Sequence, residues 1–151
     1  MALWKSMFDD SCRRRMHERL QRLEPDSPRL WGRMSAPQMV AHLTDQMRHC
    51  LGDIPVEARP GLLRFPPVRY ASIYVIPWPR GRIKGPPEAF VTTPSEWDAD
   101  VALLASMLER FASRDPDLEW PAHALFGRMS GRDWGVFVHK HLDHHFRQFS
   151  V

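Results

Sequence analysis

The chain has 151 residues, 43% of them hydrophobic and 26% charged, which bounds it to one globular domain able to bury about two-thirds of its unfolded surface. With 21 basic and 18 acidic residues the net charge is only +3, and no zinc finger or aromatic-basic stripe accompanies it, which argues against a nucleic-acid partner. No apolar run approaches the ~18 residues of a membrane span, and Met1–Lys5 lacks the apolar core of a secretory signal, so a cytoplasmic protein is expected. Cys12 and Cys50 each sit among apolar neighbours in a helical pattern and read as buried thiols in a reducing compartment rather than as a disulfide.

In chain order, the first helix is expected from Asp10 to Leu23, with Phe8, Cys12, Met16 and Leu20 as its apolar face and Arg13, Arg14 and Arg15 on the solvated one. Glu24-Pro25-Asp26-Ser27-Pro28 ends it. Ser35 caps a second helix, with Gln38 at the capping-box position and Pro37 in the first turn, where its missing N–H costs nothing. Its stripe is Val40, Leu43, Met47 and Cys50/Leu51, and Gly52 is its stop.

From Asp53 to Pro94 the periodicity disappears, and nine of the chain's 14 prolines lie there. Only Tyr70–Ile76 has the composition of a regular element, as a short helix or a strand. Trp78, Phe65 and Phe90 predict that this excursion packs on the core, as a wall or lid over a site. A third helix is expected from a Ser95 cap, with Asp98 at the capping-box position, to about Arg114. Its buried face is Val101, Leu104, Ala105, Leu108 and Phe111. Ser130 and Asp133 cap a fourth, running to Gln148. The fold predicted for residues 1–151 is therefore a single all-α domain, a four-helix bundle with a long proline-rich connection between helices two and three.

Leu30-Trp31-Gly32-Arg33-Met34-Ser35 before helix two is echoed by Leu125-Phe126-Gly127-Arg128-Met129-Ser130 before helix four. Both read as helix-entry devices, an apolar pair, a turn glycine and a serine cap, and are consistent with pseudo-symmetric entry of the two helices.

Four of the eight histidines fall within His139-Lys140-His141-Leu142-Asp143-His144-His145. On a helix, His141 and His145 lie about 40° apart and one turn from each other, a separation at which two imidazoles can share a metal ion. His42, beside the stripe of helix two, is the best third ligand. Three neutral imidazoles leave a coordination position open, the pattern of a catalytic rather than a structural site, and suit Zn, Ni, Fe or Cu. Gln148 and Asp45 are candidates to orient ligands. His144 and His49 are alternative ligands, His49 being expected too far along the axis. His17 and His123 have no partner at useful spacing and read as structural. The competing reading makes the cluster ordinary surface residues at a helix C-terminus, where positive charge is favourable.

The run His141-Leu142-Asp143-His144-His145-Phe146-Arg147-Gln148 resembles the terminal-helix signature of the DinB/YfiT-like superfamily, which pairs it with a histidine in helix two. Phe126-Gly127-Arg128-Met129-Ser130, Trp134 and the stretch from Asp26 to Leu43 resemble an uncharacterised branch of that superfamily. The resemblance implies a four-helix bundle, a metal held by His42, His141 and His145, and a homodimer. It further implies a small-molecule substrate and either a metal-dependent hydrolase or an S-transferase using a low-molecular-weight thiol such as bacillithiol or mycothiol. Arg48 or Arg147 would then be candidates to hold an anionic cofactor. No general base is evident beside the histidines, so a non-catalytic metal-binding or ligand-sensing bundle is the alternative, and a bundle that has lost its metal and serves in dimerisation is a third. The excursion from Asp53 to Pro94 departs from better-known members, so the substrate does not carry over.

Overall fold

The computed structural model describes residues 3–82 and 84–151. Among these, the architecture is all-helical, with five α-helices and no strand; His123 and Gly127 form a single isolated bridge. The helices are α1 (Asp10–Gln21), α2 (Ala36–Leu51), α3 (Pro66–Tyr70), α4 (Trp97–Ser113) and α5 (Gly131–Gln148). None is long and apolar enough to cross a membrane.

The caps decide where these helices start. Asp9 accepts the Cys12 N–H at 2.9 Å and opens α1, which buries Cys12, Met16 and Leu20. Two complete capping boxes, Ser35/Gln38 and Ser130/Asp133, open α2 and α5. In each case the preceding hexapeptide turns through a glycine with positive φ, 77° at Gly32 and 71° at Gly127, so the repeated sequence encodes a repeated entry.

Helix α2 is the centre of the molecule, with 13 of its 16 residues buried. It packs against α4 and α5 and against a 3-10 turn at Pro87–Phe90, while α1 packs against α4 and α5. A helix enclosed on nearly every side must find partners for each polar group it carries, which makes His42, Asp45, Gln46 and His49 informative. Cys12 and Cys50 are both free and buried, and burial pushes the Cys50 thiol up from its ordinary value.

Three expectations need correction. The proline-rich connection is not irregular throughout. Pro66 and Pro67 stand in the first turn of α3, where their fixed φ favours a helix, and Ala71–Val75 continues it as a π turn, so of the helix and strand open for Tyr70–Ile76 the helix is found, to Val75, with Ile76 extended. Lys140 on α5 donates to the Ser72, Ile73 and Ile76 carbonyls at 2.8, 3.2 and 2.6 Å, tying the π turn and the residue after it to α5. Second, Ser95 does not cap α4. Its N–H and hydroxyl both go to the Asp100 carboxylate at 2.8 Å, and Glu96 accepts from Asp98 and Ala99 instead, so the helix begins at Trp97. Third, α1 closes at Gln21, two residues early, because Arg22 and Leu23 donate back to Arg19 and Leu20 in a tighter turn. Of the aromatics expected to anchor the connection, Trp78 packs on Phe137 with centroids 5.4 Å apart, whereas Phe65 stays 58% exposed.

Candidate metal centre and its cavity

His42 on α2 and His141 and His145 on α5 converge. The Nε2 atom of His141 lies 3.2 Å from that of His42 and 3.1 Å from that of His145, and one ligand atom from each ring lies within 4.8 Å of the others. Tetrahedral zinc with bonds of ~2.0–2.1 Å separates its ligand nitrogens by about 3.3–3.4 Å, close to the two shorter separations.

Two of the three rings are held in a defined tautomer. His42 Nδ1–H donates to the Ala89 carbonyl at 2.8 Å, leaving a lone pair on Nε2. His145 Nδ1 meets Gln148 Oε1 at 3.0 Å, and Gln148 Nε2 donates to the Trp31 carbonyl at 2.8 Å. A carbonyl only accepts, so the Gln148 amide has one orientation, and His145 must donate from Nδ1 and present its lone pair at Nε2. His141 can donate its one Nε2 hydrogen to only one of these acceptors. Three nitrogens this close, with at least two lone pairs turned inward, form a set that fits a cation.

Burial and mutual repulsion hold these imidazoles neutral. All three are lowered from the ordinary histidine value, chiefly by desolvation, and His145 is lowered to about 3. Neutral rings are what a metal requires.

The remaining predicted residues fall into place unevenly. Gln148 does orient a ligand. Asp45 does not touch His42; its carboxylate, 1% exposed, accepts from the Val91 N–H at 3.0 Å and the Thr92 N–H at 2.8 Å, and from the Thr92 hydroxyl. It thereby fixes the strand of chain whose Ala89 carbonyl holds His42 and whose Phe90 ring stacks on His42, centroids 4.6 Å apart. His144 lines the cavity outside the convergent set, and His49 lies apart from it with its buried Nε2 unpaired. Arg48 bonds Asp45 and Thr92, Arg147 pairs with Asp143 at 3.0 Å, and neither lines the cavity. His17 pairs with Glu109 at 2.6 Å on the surface.

The three imidazoles open on a cavity of about 320 Å³. The connection supplies about half its wall, through Leu63, Ile76, Pro77, Trp78, Pro79 and Pro86 among others, so the excursion packs over the site as a wall. Sequence reasoning missed His123, read as structural, and Gln46. Both line this cavity; Gln46 stands one turn from His42 on α2, a spacing that could have found it, whereas His123 has no partner at helical spacing.

A family model described as a protein of unknown function (DUF1569) matches residues 8–151. No curated protein and no solved structure shows significant similarity to the chain.

Proposed function

The chain belongs to the DUF1569 family, and we propose that it is a metal-dependent enzyme whose divalent ion is held by His42, His141 and His145. The observation that carries the reading is the convergence of three Nε2 atoms, two with tautomers fixed by Ala89 and Gln148, at the wall of a partly open cavity. A bound ion would supply Lewis acidity there and ease ionisation of a water or thiol nucleophile, which suits a hydrolase or a thiol-dependent S-transferase. The protein's own part is to orient the rings, keep them neutral and shield the cavity with Trp78 and Phe90. That cavity favours a centre that admits a small molecule over a closed metal-storage site, which has no use for one.

A second observation bears on the transferase form. A groove on the far side of His144 is lined by Lys5 and Arg80, with Arg147 paired to Asp143 beside them, and would suit an anionic thiol cofactor reaching the centre past His144. Placement in the DinB/YfiT-like superfamily, with its four-helix bundle, is supported by the terminal-helix histidine run and by the four long helices α1, α2, α4 and α5. A homodimer is the proposed assembly, supported by the exposed apolar side chains Leu62, Phe65, Tyr70, Val75 and Ile76 on the connection.

The experiment is metal content per chain, by plasma mass spectrometry of tag-free protein beside a His141→Ala/His145→Ala variant of unchanged helical circular dichroism. Near-stoichiometric divalent metal in the wild type alone supports the reading. No metal in either protein, after reconstitution with zinc and with nickel, overturns it.

A further inference from the structure

His123 and Gln46 are two polar side chains, 7% and 8% exposed, set in a cavity whose lining is otherwise chiefly apolar. His123 Nδ1 accepts the N–H groups of Leu125 and Phe126 at 3.0 and 3.2 Å. An accepting ring nitrogen carries no proton, so the hydrogen of this neutral ring sits on Nε2. The ring is clamped by Phe126, Trp134 and Phe137, with centroids 4.9, 5.4 and 4.8 Å away. Its Nε2–H has no partner among the described residues, and it is not one of the fully enclosed unpaired atoms, which are His49 Nε2 and Arg59 Nε. The Gln46 amide, one turn along α2 from His42, likewise makes no hydrogen bond among the described residues and borders the same space.

The His123 Nε2–H and the Gln46 amide are thus polar groups without a partner among the described residues, still reachable from a chiefly apolar cavity and free to bond a ligand there. No Lys, Arg, Asp or Glu stands among the described lining residues, so apart from an ion on the three imidazoles a charged ligand would be desolvated there without a counter-ion. We infer that the cavity binds a small, uncharged, chiefly apolar ligand whose acceptor group is gripped by the His123 Nε2–H and the Gln46 amide, beside the three converging imidazoles. The inference rests on the cavity being the substrate site of the function proposed above, and it names the substrate class.

The test uses three probes of one shape, benzamide, benzoate and ethylbenzene, titrated into metal-free and zinc-loaded protein. Binding is followed by long-range ¹H–¹⁵N imidazole spectra. Gln46→Leu removes the amide without breaking a side-chain hydrogen bond among the described residues. His123→Asn removes the Nε2–H, while its side-chain oxygen can still accept from the backbone two and three residues on, as in an Asx turn. Benzamide should shift the His123 Nε2 signal and bind roughly tenfold more weakly to each variant, with ethylbenzene undiminished. In metal-free protein benzoate should bind more weakly than benzamide. Equal benzamide binding by wild type and Gln46→Leu, tighter binding of benzoate than of benzamide by metal-free protein, or failure of benzamide to enter would each overturn the inference. Its failure is separable from that of the metal centre. A benzamide preference in a protein that holds no metal would sink only the proposed enzyme, and zinc loading without that preference would sink only the substrate class.

Discussion

Gln148 and His145 are locked to each other, because the Gln148 amide must give its N–H to the Trp31 carbonyl at 2.8 Å and so offers only its oxygen to His145 Nδ1 at 3.0 Å. The backbone repeats the tie, the Leu30 N–H donating to the Gln148 carbonyl at 2.7 Å. The segment before α2 thus sets the proton position on a ring in α5. Gln148→Leu keeps the volume but frees the His145 tautomer and ring angle. It should weaken zinc binding roughly 10–100-fold, as loss of a partner behind a metal ligand does, with little loss of helix. Competition against a chromophoric chelator measures it, and an unchanged affinity would remove Gln148 from the site.

Gly32 extends that relationship to a residue with no functional group. A Cβ there would stand 2.5 Å from Gln148 Nε2, and the backbone has φ of 77°. Gly32→Ala should therefore displace the amide, straining the turn by about 1 kcal/mol or more and lowering metal affinity in the direction of Gln148→Leu. The double variant should be little worse than either alone, because both act through one hydrogen bond. Additive losses would show that Gly32 acts elsewhere.

Asp45 supports the opposite ligand at one remove. Its buried carboxylate gathers the N–H groups of Val91 and Thr92, the Thr92 hydroxyl and Arg48, and so holds the turn that carries Ala89 and Phe90 against His42. Asp45→Ala strands those donors and should cost roughly 3 kcal/mol in urea unfolding, with weaker metal binding. Asp45→Asn keeps acceptor capacity and should cost less of both. A destabilised Asp45→Ala that bound zinc with wild-type affinity would show that the turn does not tune His42.

His42, His141 and His145 were legible because each stands on a helix with a readable cap and period. Ser35 fixes the register of α2, Ser130 that of α5, and one turn separates the α5 pair. The same spacing misled for Asp45. It lies near His42 along the helix, but its carboxylate reaches outward to residues 91–92, whose position no periodicity announces. His123 was illegible for a related reason. Its tautomer is set by the Leu125 and Phe126 N–H groups in a turn, and its cavity is walled by chain whose path depends on Lys140 collecting the carbonyls of a π turn. Local pattern reports which face a helix buries, and is silent about what an aperiodic segment lays over it.

The buried histidines make metal-free protein acid-sensitive in a stated direction. Burial lowers His123 and His145 from 6.5 to about 3 and His139 to about 4. Between those values and the ordinary one, the unfolded chain binds protons that the folded chain refuses. Stability is complete above the unfolded value and falls as pH drops towards the folded ones. Each such histidine contributes a slope of up to about 1.4 kcal/mol per pH unit within its window. Urea unfolding of metal-free protein at pH 7, 5.5 and 4.5 should show progressive loss, and His123→Asn, whatever its absolute stability, should show a shallower slope. Zinc should raise stability by a nearly constant increment over this range, because the folded imidazoles are already neutral there and few protons compete for them. Stability that stayed flat from pH 7 to 4.5 would mean that these rings are solvated in the folded protein, and the enclosed, neutral centre would fail with them.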